Sequence, residues 1–149
     1  MGFLNSLDAA ASGLSAQRLR MDVISQNISN INTTRTENGQ PYRRKLVMFE
    51  DRDKNIPFLK YLSESSKNKM PGANSGVRVT RIIEDTSPYK RIYEPGHPDA
   101  DEQGYVNMPN VDVITEMINM ISASRAYEAN VTSINTTKSM ALKALEIGK

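Results

Sequence analysis

Apolar residues recur at alternating steps of three and four at both ends of this 149-residue chain and lose that rhythm in between. The first register runs Phe3, Leu7, Ala10, Leu14, Gln17, Met21, Ile24, Ile28 and Ile31, with one polar interruption. Such spacing is a heptad stripe and predicts a helix. From Val113 the same rhythm gives Val113, Met117, Met120, Ser124, Tyr127, Val131, Ile134, Lys138, Ala141 and Leu145, with Ile114, Ile118, Ile121 and Leu142 widening the apolar face. At ~1.5 Å per residue the two helices would span about 45 Å and about 55 Å, well beyond the three turns of an ordinary globular helix.

The outer positions of these helices are poor in charge. A solvated coiled coil displays Glu and Lys there. Residues 1–34 carry only Asp8, Arg18, Arg20 and Asp22 as charges, and Ser, Asn, Gln, Thr and Ala fill most of the rest. Small uncharged side chains let helices approach closely and still hydrogen-bond, so these faces suit burial against other protein. A two-helix hairpin that merely closes a monomer also satisfies the periodicity; the depletion of charge favours packing between molecules.

The rhythm breaks at about Arg35. Of 36 charged residues, 24 lie between Arg35 and Tyr105, as do six of the seven prolines, so turns and short strands are expected there. Tyr42–Glu50 and Gly76–Asp85 are rich in β-branched and aromatic residues with partial alternation and read as strands. Pro88–Glu94 reads as a third, ended by the turn at Pro95, Gly96, His97 and Pro98. Between the first two strands, Asp51–Ser75 contains the polar run Ser63–Lys69, which suggests a mobile loop, and Ile56, Phe58, Leu59, Tyr61 and Leu62, which suit docking. The chain is thus α+β in three stretches: a helix over 1–34, a small β-rich centre over 35–110 with a loop at about 51–75, and a helix over 111–149.

Composition mainly excludes. A net charge of +2, with 19 basic residues interleaved among 17 acidic ones, points to no nucleic-acid partner. The absence of cysteine rules out disulfides and thiolate metal sites. The N-terminus lacks the basic segment and continuous apolar core of a cleaved signal peptide, and no run approaches the ~20 apolar residues of a membrane span. His97 sits beside Asp99, Asp101 and Glu102 in a Pro-Gly-His-Pro turn without helical ligand spacing, and reads as an ordinary exposed turn. Gly72–Gly76 is not a nucleophile elbow, and there is no Walker or dinucleotide pattern. No enzyme, cofactor, metal or small-molecule substrate is therefore expected. Sequon matches at Asn27, Asn32, Asn130 and Asn135 are expected by chance in Asn- and Thr-rich helices and read as packing positions.

Two stretches carry a family likeness. Ser12-Gly-Leu-Ser-Ala-Gln-Arg18 followed by Met21-Asp-Val-Ile-Ser-Gln-Asn-Ile-Ser-Asn30 resembles the N-terminal signature of bacterial flagellar rod and hook axial proteins. Asn110-Val-Asp112, Glu116-Met117 and Ser124-Arg-Ala-Tyr-Glu-Ala-Asn130 resemble their C-terminal signature. Between them, Gly39-Gln-Pro-Tyr-Arg43, Tyr93-Glu-Pro-Gly-His-Pro98 and Gly104–Asp112 are similar to the proximal-rod branch of that family. Ser29 departs from a common Ala, and a longer Thr33–Tyr42 connection replaces the usual Thr-x-Gly-Tyr.

The resemblance implies a structural subunit of the flagellar basal-body rod, a helical tube that transmits torque and encloses the export channel. It implies terminal helices paired as a coiled-coil-like inner layer with the β-rich centre outside. The implied partners are copies of itself, rod subunits of the FlgB, FlgF and FlgG types, a FliE-type adaptor at the rod base, and the flagellar type III export gate. The implied location is a rod spanning the periplasm, reached without a cleaved signal. Phe3-Leu-Asn-Ser-Leu7 fits the Phe-x-x-x-apolar element read at that gate, although Phe3 and Leu7 are also heptad positions.

Stripes and signatures together nominate Leu7, Leu14, Gln17, Met21, Ile24, Asn27, Ile28, Asn30 and Ile31 on the first helix as assembly residues. On the second they nominate Met117, Ile121, Arg125, Tyr127, Asn130, Val131, Ile134, Leu142 and Leu145. Gln17, Ser124 and Lys138 interrupt apolar stripes, where a polar group costs stability but can fix register. Arg125 is placed to reach an adjacent subunit, or to pair locally with Glu128 at i+3. Because one apolar stripe returns less free energy than ordering such a long helix costs, the termini are expected to be largely disordered in the free subunit and to fold on assembly. The alternative reading is a helical-hairpin export chaperone or adaptor, which shares amphipathic ends but forms no polymer.

Overall fold

A computed structural model of the chain describes residues 3–52 and 76–147. Most of the loop expected at about 51–75, with its docking candidates from Ile56 to Leu62, lies outside the described residues. In chain order the elements are α1 (Phe3–Ser29), β1 (Lys45–Asp51), β2 (Val77–Glu84), β3 (Lys90–Tyr93), β4 (Tyr105–Met108) and α2 (Val113–Ile147). The fold is α+β: two long terminal helices and two small antiparallel two-stranded sheets, β1–β2 and β3–β4.

The helices pair in antiparallel fashion. Asn27 on α1 hydrogen-bonds Glu116 on α2, and fourteen residues back along α1, Gly13 meets Asn130, fourteen residues forward along α2. Two full heptads on each helix therefore stay in register over about 21 Å. The approach is close: a Cβ at Gly13 would stand 3.0 Å from the Asn130 side chain. Along α2, the buried positions Glu116, Ala123 and Thr137 and the half-buried Asn130 recur every seven residues. The positions nearest α1 form a heptad of mixed polarity one residue before the stripe through Met117 and Leu145, and at Asn130 the close approach is made possible by Gly13. Met120, Tyr127, Ile134 and Ala141 flank the contact, half-buried.

Strand β1 doubles back along α1. Lys45 sits beside Asn27, and at the other end Arg52 pairs with Asp8 at 3.5 Å. Seven strand residues cover about 24 Å, close to the ~28 Å of helix between Asn27 and Asp8, so hairpin and helix match in length. The far end is pinned where Ser12 Oγ accepts from the Val77 N–H at 3.0 Å. Gly76 makes that approach possible: its φ is +80°, and a Cβ would lie 2.1 Å from Ser12 Oγ and 3.0 Å from Ala9 Cα. Met48 pairs with Arg81 and Phe49 with Val79, leaving Thr80 as a bulge residue.

The strand expected over Pro88–Glu94 is present over Lys90–Tyr93. Its partner β4 was not anticipated, since Tyr105–Met108 is only four residues long and hides in a proline-flanked motif. Edge-to-face packing of Tyr93 on Tyr105, with ring centroids 5.3 Å apart, holds this ribbon together. The core is thin and divided: Ala10, Ala16, Val23, Ile24 and Ala123 line the helices, whereas Tyr42, Val106 and Val111 lie under the β region.

Candidate assembly interface

Four segments meet where α2 begins. Asp112 caps the helix: its Oδ2 accepts from the Thr115 N–H at 3.0 Å and the Thr115 hydroxyl at 2.7 Å. Those bonds hold its carboxyl below the usual carboxylate range, with Lys90 adding a smaller pull. One turn on, Glu116 points inward and is only 1% exposed. A buried carboxylate needs a counter-charge, and Arg44 supplies it through Nε at 2.9 Å and Nη2 at 2.5 Å, both to Oε1. Arg44 also stands 3.6 Å from Asp85, whose carboxyl is held low chiefly by the Ser87 hydroxyl and N–H, then by Arg44.

Asn27 completes this junction, also 1% exposed. Its Nδ2 donates to Lys45 O and to Glu116 Oε2, each at 2.9 Å. Its Oδ1 accepts from the Tyr42 hydroxyl and the Lys45 N–H, each at 2.9 Å. A single amide thus imitates a strand partner for Lys45 while tying α1 to α2, and every donor and acceptor it owns is used. Burial pushes the Tyr42 hydroxyl pKa up, and Glu116 and Glu84 add to the shift. Asn110 makes a second clamp: Oδ1 accepts from the Arg44 N–H at 2.8 Å, and Nδ2 donates to Asp85 O at 3.2 Å and Ser87 O at 3.3 Å. Sequence reasoning missed Tyr42, Arg44 and Asp85 as members of this cluster. The available signal was an acid, Glu116, on the inner side of a helix otherwise sparse in charge.

The nominated assembly residues divide between two surroundings. Ile24 and Asn27 are buried within the chain, Leu7, Leu14, Gln17, Met21 and Ile28 are half-buried on α1, and Asn30 and Ile31 are half-buried in the turn that follows it, because the helix ends at Ser29 rather than at about residue 34. Gln17 Oε1 is buried without a hydrogen-bond partner among the described residues. The side chain of Phe3 lies outside the description. On α2, Tyr127, Asn130, Val131 and Ile134 are half-buried, and Asn130 Nδ2 donates to Ala126 O within its own helix. Met117, Ile121 and Leu145 point outward, 54%, 53% and 71% exposed, and Leu142 does likewise. Ile114 and Ile118 join the first two in an apolar patch over the opening turns. The exposed Arg125 makes no ion pair with Glu128 or any other described residue.

Elsewhere the charged residues close turns. Asp101 accepts from the Tyr105 and Gln103 N–H groups and from Arg91, which lowers its pKa. His97 Nδ1 accepts from the Asp99 N–H at 3.1 Å. Among the described residues no cluster of three metal-ligating side chains occurs, and no helix is long and apolar enough to cross a membrane.

Apolar residues turned outward from a helix pair, whose angle to the β region is fixed by a polar junction, are features of a part built to join others. Residues 7–35 match the family model described as flagella basal body rod protein. Residues 102–147 match that described as flagellar basal body rod FlgEFG protein C-terminal. The class is therefore that of flagellar axial proteins: structural rod subunits, not enzymes. Within it, the chain is 50% identical to the flagellar basal-body rod protein FlgC of Borreliella burgdorferi, over 99% of this chain and 98% of that one. It is 45% identical to FlgC of Bacillus subtilis and 44% identical to FlgC of Salmonella typhimurium, over the full length of both chains in each case. The chain belongs to the FlgC family of basal-body rod proteins.

Proposed function

We propose that this subunit builds the proximal part of the rod, packing helically through α1 and α2 into the torque-transmitting shaft and export channel. The supporting observation is the outward apolar patch of Ile114, Met117, Ile118 and Ile121, which the chain itself leaves uncovered. Monomeric proteins rarely expose contiguous apolar surface without a partner for it. Its neighbours in this reading are copies of itself, rod subunits of the FlgB, FlgF and FlgG types and a FliE-type adaptor. The type III export gate reads Phe3 and Leu7 and delivers the chain across the inner membrane without a cleaved signal. The helical ends order fully on assembly, and Arg125, which pairs with no described residue, reaches an adjacent subunit.

The test is a Met117→Asp, Ile121→Asp chain. Both positions face solvent, so the free subunit should keep its circular dichroism and thermal midpoint, yet be missing from purified basal bodies. Normal incorporation would refute the reading. An export chaperone or adaptor would leave basal bodies free of the wild-type chain altogether.

A further inference from the structure

The connection between α1 and β1 closes in a small exposed turn. The Gly39 N–H donates to Thr36 O at 2.8 Å, while the Thr36 N–H and hydroxyl donate to Gln40 O at 2.9 Å and 2.8 Å. Gly39 lies at φ +71°, the left-handed residue that follows a turn of this kind. Asn38 stands just before it at the tip, and both residues are exposed. No other asparagine in the sequence precedes a glycine. Even a Cβ on residue 39 would meet nothing within 4 Å, so neither a side chain of its own nor the surrounding fold crowds the Gly39 nitrogen.

We infer that Asn38 is a site of self-modification, deamidating through a cyclic imide closed by the Gly39 backbone nitrogen, at a rate set by the opening of the Thr36–Gln40 turn. The step needs only water and base. Gly39 N loses its proton to hydroxide and attacks Asn38 Cγ; the N–Cγ bond forms, the Cγ–Nδ2 bond breaks, and Nδ2 leaves as ammonia with a proton from water. Water then opens the ring at either carbonyl, returning a proton to the Gly39 nitrogen and leaving an aspartyl or an isoaspartyl residue. Nothing is oxidised or reduced. The turn opposes closure, because the attacking nitrogen is held through its N–H on Thr36 O and must swing toward the Asn38 side chain before it can react. Giving up that bond and its neighbours slows the folded chain by about tenfold relative to the unfolded one.

The two products differ in consequence. An aspartyl side chain enters a hollow of about 190 Å³ whose charged lining is Arg43, Lys45 and Glu84, a surrounding with a net positive charge that accepts a carboxylate. An isoaspartyl residue instead lengthens the main chain by a carbon, which breaks the pairing of Thr36 with Gln40. Pro41 and Tyr42 follow at once. Pro41 O accepts from the Tyr89 hydroxyl at 3.3 Å and the Tyr42 hydroxyl donates to Asn27 at 2.9 Å, so the distortion reaches the junction.

Trypsin cuts after Arg35 and Arg43, so residues 36–43 leave the full-length chain as one peptide for mass spectrometry. After incubation of the folded chain at about pH 8, this peptide should carry the acid products about fivefold ahead of the exposed Asn32, whose following residue is the bulkier Thr33. Isoaspartate should exceed aspartate, and the rate should fall steeply from about pH 8 to about pH 6 as the nitrogen keeps its proton. Guanidinium chloride should raise the rate by about tenfold, and Thr36→Val, which removes the hydroxyl bond to Gln40 O, by about threefold in the folded chain alone. An aged, isoaspartate-rich sample should melt below fresh protein, whereas Asn38→Asp and an aged Asn38→Gln sample should not. No excess over Asn32 would overturn the site, and aspartate without isoaspartate would overturn the imide route in favour of direct hydrolysis. A rate equal in folded and unfolded chains would overturn control by the turn, and an aged sample that melts like fresh protein would overturn the link to the junction.

Discussion

Replacing Asn27 by Asp changes one atom for another of nearly equal size and should nevertheless damage the junction severely. Asn27 Oδ1 keeps its two accepting contacts, with Tyr42 and the Lys45 N–H. The other two invert: Nδ2 donates at 2.9 Å to Lys45 O and to Glu116 Oε2, and an oxygen there faces two acceptors. A buried acceptor left without its donor costs about 1–3 kcal/mol, and more when charged. Two such losses, one against a carboxylate, give a deficit of about 3–6 kcal/mol, a large share of the ~5–15 kcal/mol that holds a typical domain. With a urea slope of about 1–3 kcal/mol per molar, the midpoint should fall by about 2 M. Tyrosine fluorescence and helical dichroism both follow the transition. The deficit should depend on pH. Two carboxylates in contact bind a proton more tightly in the folded chain than in the unfolded one, so the loss is full above the raised pKa of the pair and fades as pH falls through it. At about pH 8 the variant should lag furthest behind wild type, and at about pH 5 the gap should narrow. A deficit under about 1 kcal/mol, or one equal at the two pH values, would show that Asn27 does not donate to Glu116 as described.

Gly76→Ala combines an unfavourable φ of +80° with a Cβ 2.1 Å from Ser12 Oγ and should cost about 2–4 kcal/mol. Gly39→Ala, at φ +71° with nothing within 4 Å, should cost about 1–2 kcal/mol; thermal denaturation of the two, compared directly, isolates the steric part. Asp112→Ala removes the cap of α2 and should lower the urea midpoint. Because the Asp85 and Asp112 carboxyls are held low in the folded chain, wild type should lose stability as pH falls below about 4 and through those lowered values, and the Asp112→Ala variant should lose less. Phe3→Ala with Leu7→Ala should stall secretion, with the chain retained inside the cell; normal secretion with failed assembly would mean that these positions serve packing alone.

The helices were legible because an apolar rhythm of three and four survives whatever surrounds it, and the strands at Lys45–Asp51 and Val77–Glu84 because β-branched residues cluster there. The side of α2 that meets α1 was not legible from periodicity. That reasoning favours the largest apolar side chains, whereas here Ile114, Met117, Ile118 and Ile121 are exposed and Met120, Tyr127 and Ile134 only flank the contact. Glu116, Ala123, Asn130 and Thr137 form a heptad too mixed in polarity to register as a stripe, and Gly13 gives no sign of the close approach it allows. The junction was invisible for a different cause. Asn27, Arg44, Asp85, Asn110 and Glu116 are scattered through four segments, and no local pattern links an amide on one helix to a carboxylate 89 residues later.

Burial along the helix pair is uneven, and the unevenness bears on how the part works. Around the junction, Val23, Ile24, Asn27, Glu116 and Ala123 are all buried. Towards the far end, α1 buries only the small Ala16 and Ala10 among its described side chains and α2 only Thr137, beyond which none of its described residues is buried. A local opening free energy follows such contact density, so the junction should hold the hairpin's root at a fixed angle while the tips remain the least stable region. Polar interactions suit the first task, because a network with every donor and acceptor matched tolerates few alternative geometries. Apolar contacts suit the second, since they gain free energy from whichever copy covers them. In the proposed assembly, neighbouring subunits would cover the apolar surface that the described residues leave exposed at the tips.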